Sequence, residues 1–212
     1  MQVNATSSHN AAVRTGPGSI YWLALIGAAA GSCGGSRQAS VESGLRGTFH
    51  TDGGCTFTID SPPLQAGIHV PVGTAIQWDS NPPSSGEHYP IWAAYQTYAS
   101  PVPRGYYVHN LEHGAVVFLY NCPSAPCPDV ASELEEASAA LPDDALCTQQ
   151  NAGVRARTIV TPDPLIDVEV AAAAWGWTYK ADCVDLPSLE QFASQHYGQG
   201  PEAICSDGTT QF

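Results

Sequence analysis

The sequence predicts an α+β fold: a single domain, a mostly antiparallel sheet with two or more helices on one face, loop-rich and stapled by disulfides. Three observations carry this reading. Short apolar or alternating runs of strand length are mixed with stretches that read as helices, which suits a sheet covered by helices. Glycine and proline number 20 and 17 among 212 residues, so turns and shaped loops take up much of the chain. Seven cysteines, with no Cys-x-x-Cys pair, favour structural disulfides over redox or zinc-thiolate chemistry.

The elements follow in chain order. Cys55 to Ile59 alternates and reads as a first strand, and Thr74 to Trp78 as a second. Ser61-Pro62-Pro63 and the run Asn81 to Gly86 are loops, because proline fixes φ and removes a donor. Ala115 to Tyr120 (AVVFLY) is apolar throughout and predicts a central strand. Asp129 to Leu141 predicts a helix whose early acidic residues suit the positive end of its dipole. Arg155 to Val160 reads as a strand. Val168 to Tyr179 mixes helix-favouring alanines with β-branched and aromatic ends, and its second half is assigned to a strand. Pro187 to His196 predicts a helix beginning near Asp185 or Ser188.

Charge and the N-terminus bound the function. The formal net charge is −13, and that field repels polyanions, so nucleic acid is excluded as a partner. Residues 1–33 read as an export signal: Arg14, then an apolar core from Ile20 to Ala30 that is too short for a spanning helix, which needs about 20 residues. The signal closes on Ala30-Gly31-Ser32-Cys33, which resembles a bacterial lipobox with Cys33 as the lipidated residue. Residues 34–48 are small and polar, a tether, and residues 49–212 form the domain. The expected place is therefore extracytoplasmic, in the bacterial cell envelope, with a lipid anchor in the membrane.

Cysteine counting agrees. With Cys33 lipidated, Cys55, Cys122, Cys127, Cys147, Cys183 and Cys205 remain, enough for three disulfides. Sequence leaves their connectivity open, although Cys122 and Cys127 bracket a proline-rich turn suited to a local bridge.

Histidines carry the chemical signal. His69, His88, His109 and His113 crowd into one segment, and converging imidazoles suit copper or zinc. His109 and His113 are four residues apart. In a helix they share one face and one metal; in a strand they stand about 13 Å apart and cannot. A shared site therefore requires a helical turn between Val108 and Gly114, a turn that glycine suits. The expected ligands are His88, His109 and His113. Glu112 and Tyr89 support them, with Glu112 accepting from a histidine nitrogen. His69, in an alternating run, is expected to hydrogen-bond, and His50 and His196 to be structural.

Two long motifs resemble a known family. They are Asn81-Pro82-Pro83-Ser84-Ser85-Gly86-Glu87-His88-Tyr89-Pro90 with Trp92 and Ala93, and Val108 to Val117 (VHNLEHGAVV). Shorter matches are Ala174-Trp175-Gly176 and His196-Tyr197-Gly198 with Gly200-Pro201-Glu202. These are similar to the bacterial domain-of-unknown-function family numbered 3105, whose members are typically exported or membrane-attached. The resemblance spans roughly residues 64 to 203 and implies no reaction. It implies that His88, Tyr89, His109, Glu112 and His113 belong to the family's pattern, and the cysteines look like an addition of this member.

Three functions compete. The leading one is non-catalytic binding of a copper or zinc ion by an envelope lipoprotein. A non-metal interaction domain of the envelope is the alternative. A metal-dependent hydrolase is the third, since His109-x-x-Glu112-His113 matches the inverzincin pattern, with Glu190 as a distant third ligand. The glycine and apolar strand that follow at once are unlike the long helix of that class.

Overall fold

The computed structural model describes residues 46–122 and 127–212. The export signal and Cys33 lie outside the described residues. A six-stranded sheet has the order β1-β2-β6-β5-β3-β4, with β1 at Gly47–His50, β2 at Thr56–Asp60, β3 at Val116–Tyr120, β4 at Thr158–Pro162, β5 at Val170–Ala174 and β6 at Trp177–Ala181. Every pairing is antiparallel except β3 with β4, which are parallel and register Val116 with Thr158. That parallel pair is joined by a crossover through α2 (Pro128–Ala139) and α3 (Ala145–Gln149).

Both faces of the sheet are covered, which is why β3 is apolar throughout. Val116 and Phe118 point into one core with Leu134 of α2 and Leu189 and Phe192 of α4 (Leu186–His196). Val117 and Leu119 point into the other, with Tyr107 and Leu111 of α1 (Arg104–Glu112). Two helices thus share one face as expected, and α1 occupies the opposite one.

Most predicted elements appear within a few residues of their expected bounds, and Asp185 caps α4 by accepting from the Ser188 N–H at 3.1 Å. The stretch Val168 to Tyr179 contains the β5–β6 hairpin, whose turn Trp175-Gly176 places Gly176 at φ 75°. The strand expected over Thr74 to Trp78 is absent. Thr74 closes a turn onto the Pro71 carbonyl, and the Trp78 indole N–H donates to the Glu87 carbonyl, so its apolar alternation reflects loop anchoring. Sheet order also starts within the expected tether, because Gly47 of β1 pairs with Ile59.

All six domain cysteines pair: Cys55 with Cys183, Cys122 with Cys127, and Cys147 with Cys205. Their Cα separations of 5.7, 6.2 and 4.9 Å are those of disulfides. Among the described residues no helix is long and apolar enough to cross a membrane.

Candidate metal centre

The centre is built on the last turn of α1. From Gly105 to Glu112 every residue of this helix is buried, so its polar side chains point into protein rather than water. The helix ends in a Schellman motif: Ala115 N–H donates to the Asn110 carbonyl and Gly114 N–H to that of Leu111, with Gly114 at φ 83°. This is the helical turn that the His109/His113 spacing required. A returning segment locks the end: Gly198 N–H donates to Gly114 O at 2.8 Å and Glu202 N–H to Glu112 O at 3.0 Å. Gly200 lies flat against it, where a Cβ would come within 2.2 Å of Glu112 O.

Two loop residues complete the cluster. His69 and His88 are paired by a short parallel bridge, in which His88 N–H donates to Ile68 O and Val70 N–H to His88 O. Donor atoms of His69, His88, His109 and Glu112 all lie within 4.8 Å of one another. A tetrahedral zinc site with bonds of about 2.0–2.1 Å sets its ligand atoms roughly 3.3 Å apart, so small side-chain shifts would close this set on one ion. His88 is fully buried, whereas the His69 side chain is 49% exposed.

Hydrogen bonds fix the tautomers. A carbonyl can only accept, so Nδ1–H of His88 donates to Gly86 O at 2.8 Å and Nδ1–H of His109 to Tyr89 O at 2.6 Å. In both rings Nε2 is therefore the atom that faces the centre, the arrangement that ligating histidines adopt. Nε2 of His88 meets Oε2 of Glu112 at 2.9 Å, and His69 Nε2 is 3.7 Å from the same oxygen. Two acceptors at that distance need a cation or a proton between them. Burial, reinforced by the neighbouring His88 and His69, lowers the His109 pKa to about 4 and keeps the ring in the neutral, ligating form.

A second grouping of donors adjoins the first and shares His109. Nε2 of His113 lies 3.1 Å from Nε2 of His109 and 3.3 Å from Oε2 of Glu202. Burial, then His109 and Arg157, lowers the His113 pKa to about 3. Trp92 packs against both rings, at 5.1 and 4.7 Å between centroids. Arg157, just before β4, bonds the His113 carbonyl and Asp144. A third grouping, Cys55, Asp182 and Cys183, contains a disulfide and so offers no thiolate.

The expected site residues thus gather at one place, with differing contacts. His69 stands among the four donors, and His113 sits one step behind His109. Glu112 contacts His88 and His69 as a donor atom of the cluster. Tyr89 contributes its main-chain carbonyl, while its hydroxyl donates to Thr74 O, away from the centre. Glu190 is exposed on α4, across the sheet from α1, and does not join the cluster. Sequence reasoning gave no role to Gly67, where a Cβ would lie 2.4 Å from Glu112 Oε1, nor to Glu202 or Trp175. Trp175 packs edge-on to His88 at 6.4 Å. The glycine had no signal, whereas Glu202 and Trp175 stood in motifs already recognised.

Fold and site together define a disulfide-tied α+β domain, of the kind that folds in an oxidising, extracytoplasmic environment, with a buried histidine–glutamate centre. The chain belongs to the family described as "Protein of unknown function (DUF3105)", whose model matches residues 69–207. No curated protein and no solved structure matches it. The four stretches carrying the family resemblance converge on the centre, bringing His88 and Trp92, His109 to His113, Trp175, and Glu202.

Proposed function

We propose that this protein is an envelope lipoprotein that binds one copper or zinc ion without catalysis, through His69, His88, His109 and Glu112. Relative to the sequence-based expectation, His69 takes a ligand's place and His113 a supporting one. The carrying observation is the pair of Nδ1–H bonds from His88 and His109 to main-chain carbonyls, which leave two lone pairs and a carboxylate aimed at one point. Three imidazoles and one carboxylate suit either metal. Four protein donors fill a tetrahedron and leave no position for a reactive water, which supports storage, delivery or structural locking over hydrolysis. Pairing of the six domain cysteines leaves Cys33 the odd one of seven, in keeping with its lipidation.

The test is elemental analysis of the purified chain after exposure to each metal, beside His88→Ala plus His109→Ala. The reading expects about one equivalent in wild type, lost in the double variant with disulfides and fold retained. Absence of tight metal from wild type would reject it and favour the interaction domain.

A further inference from the structure

We infer that His113 is not a ligand but a hydrogen-bond competitor for the metal-binding lone pair of His109, with Glu202 as the acceptor that releases it. This rests on the metal reading above. His109 has already committed Nδ1–H to Tyr89 O, so Nε2 is its single ligand atom and carries no proton in the neutral ring. His113 Nε2 lies 3.1 Å away. A bond at that distance needs a proton, which must sit on His113 Nε2 and point at the His109 lone pair.

The far side of the ring agrees. Nδ1 of His113 is buried and has no hydrogen-bond partner among the described residues. With the proton on Nε2, that atom is an unmet acceptor. Coordination through Nε2 would instead move the proton to Nδ1, burying an N–H with nothing to receive it and adding a desolvation cost. His88 and His109 each have a carbonyl in that position, and His113 has none. Glu202 supplies the alternative: its Oε2 is 3.3 Å from His113 Nε2, and its main chain is held to Glu112 O at 3.0 Å. When a metal takes the His109 lone pair, the His113 N–H turns to Glu202. Metal binding is therefore coupled to a swap of one hydrogen bond, so His113 weakens the site and Glu202 strengthens it.

Zinc titration of the full-length chain against a chromophoric chelator tests the sign. His113→Ala should bind zinc about fivefold more tightly than wild type, the weight of one hydrogen bond, and Glu202→Ala about fivefold more weakly. In the His113→Ala background, Glu202→Ala should change nothing. Weaker binding in His113→Ala overturns the inference and makes His113 a ligand; an undiminished Glu202 effect in that background overturns it by showing that Glu202 acts independently of His113. Nitrogen-15 NMR of histidine-labelled wild type gives a reading free of any folding defect. It should show the metal-free His113 proton on Nε2; a proton on Nδ1 overturns the inference. Failure of wild type to take zinc or copper overturns the metal reading and the competition with it, while the tautomer still decides whether the His113–His109 bond exists.

Discussion

Nε2 of the fully buried His88 lies 2.9 Å from Oε2 of Glu112, while Nδ1–H of the same ring is bound to Gly86 O. The two residues come from a loop and from the last turn of a helix, and their meeting holds the centre together. Gly67 sets the carboxylate's position from the other side, because there is no room there for a methyl group.

Gly67→Ala should therefore displace Glu112 and weaken metal binding by at least about tenfold, the usual effect of disturbing a ligand's support. Gly67 has ordinary backbone geometry and lies in an exposed loop, so the melting temperature should fall little. Metal titration and thermal melting of the same sample measure both. Unchanged affinity would show that Glu112 lies outside the coordination set.

Asn110 stands between His109 and Leu111 on α1 and works for the fold rather than the metal. Its side chain accepts from Ala93 N–H at 3.0 Å and donates to Ala93 O at 2.8 Å, closing the Trp92 loop onto the helix. Asn110→Ala would leave two buried main-chain groups unpaired, at about 1–3 kcal/mol each. Urea unfolding should show a loss of about 2–6 kcal/mol; a loss under about 1 kcal/mol would mean that water enters and replaces the amide.

The local part of this architecture was legible from sequence and the long-range part was not. Ala115 to Tyr120 could be read as central because a strand buried on both faces must be apolar at every position. The helical turn at His109 to His113 followed from spacing, since only a helix brings those rings together. From its neighbours, which alternate like a strand, His69 reads as a hydrogen-bonding residue, yet it makes a single bridge, to His88, and its approach to Glu112 depends on the loop path. Thr74 to Trp78 alternates equally well and has no strand partner. The alanines of β5 blurred that segment, because small side chains suit a strand pressed between two cores as well as a helix.

The three disulfides should differ in weight according to the loops they close. The bridges Cys55–Cys183 and Cys147–Cys205 span 128 and 58 residues, and Cys122–Cys127 spans 5. Chain-entropy arguments give about 4–5 kcal/mol for the first two and about 2 kcal/mol for the third. Paired Cys→Ser variants should lose stability in that order in denaturant titrations. An equal or larger loss for Cys122/Cys127 would mean that native contacts, not loop closure, set the contribution.

Acid should unfold the metal-free protein through its buried histidines. His196 is 5% exposed, stacked on Trp177 at 4.3 Å, and burial lowers its pKa to about 4 from the ordinary 6.5. Above pH 6.5 the ring is neutral in both folded and unfolded chains, so it contributes nothing to the pH dependence. Below that value the unfolded chain binds a proton that the folded chain refuses, and stability falls until the pH reaches about 4. The slope approaches about 1.4 kcal/mol per pH unit for each such ring. His109, with its pKa near 4, and His113, near 3, act in the same direction. The depressed carboxyls Asp144 and Asp167 titrate below this window and leave it to the histidines. Denaturant unfolding at pH 7, 6 and 5 should therefore show steady loss of stability in wild type and a shallower loss in His196→Phe, by up to about 1.4 kcal/mol per pH unit. Comparing slopes removes any packing cost of the substitution itself. Identical slopes would mean that His196 takes up its proton in the folded protein.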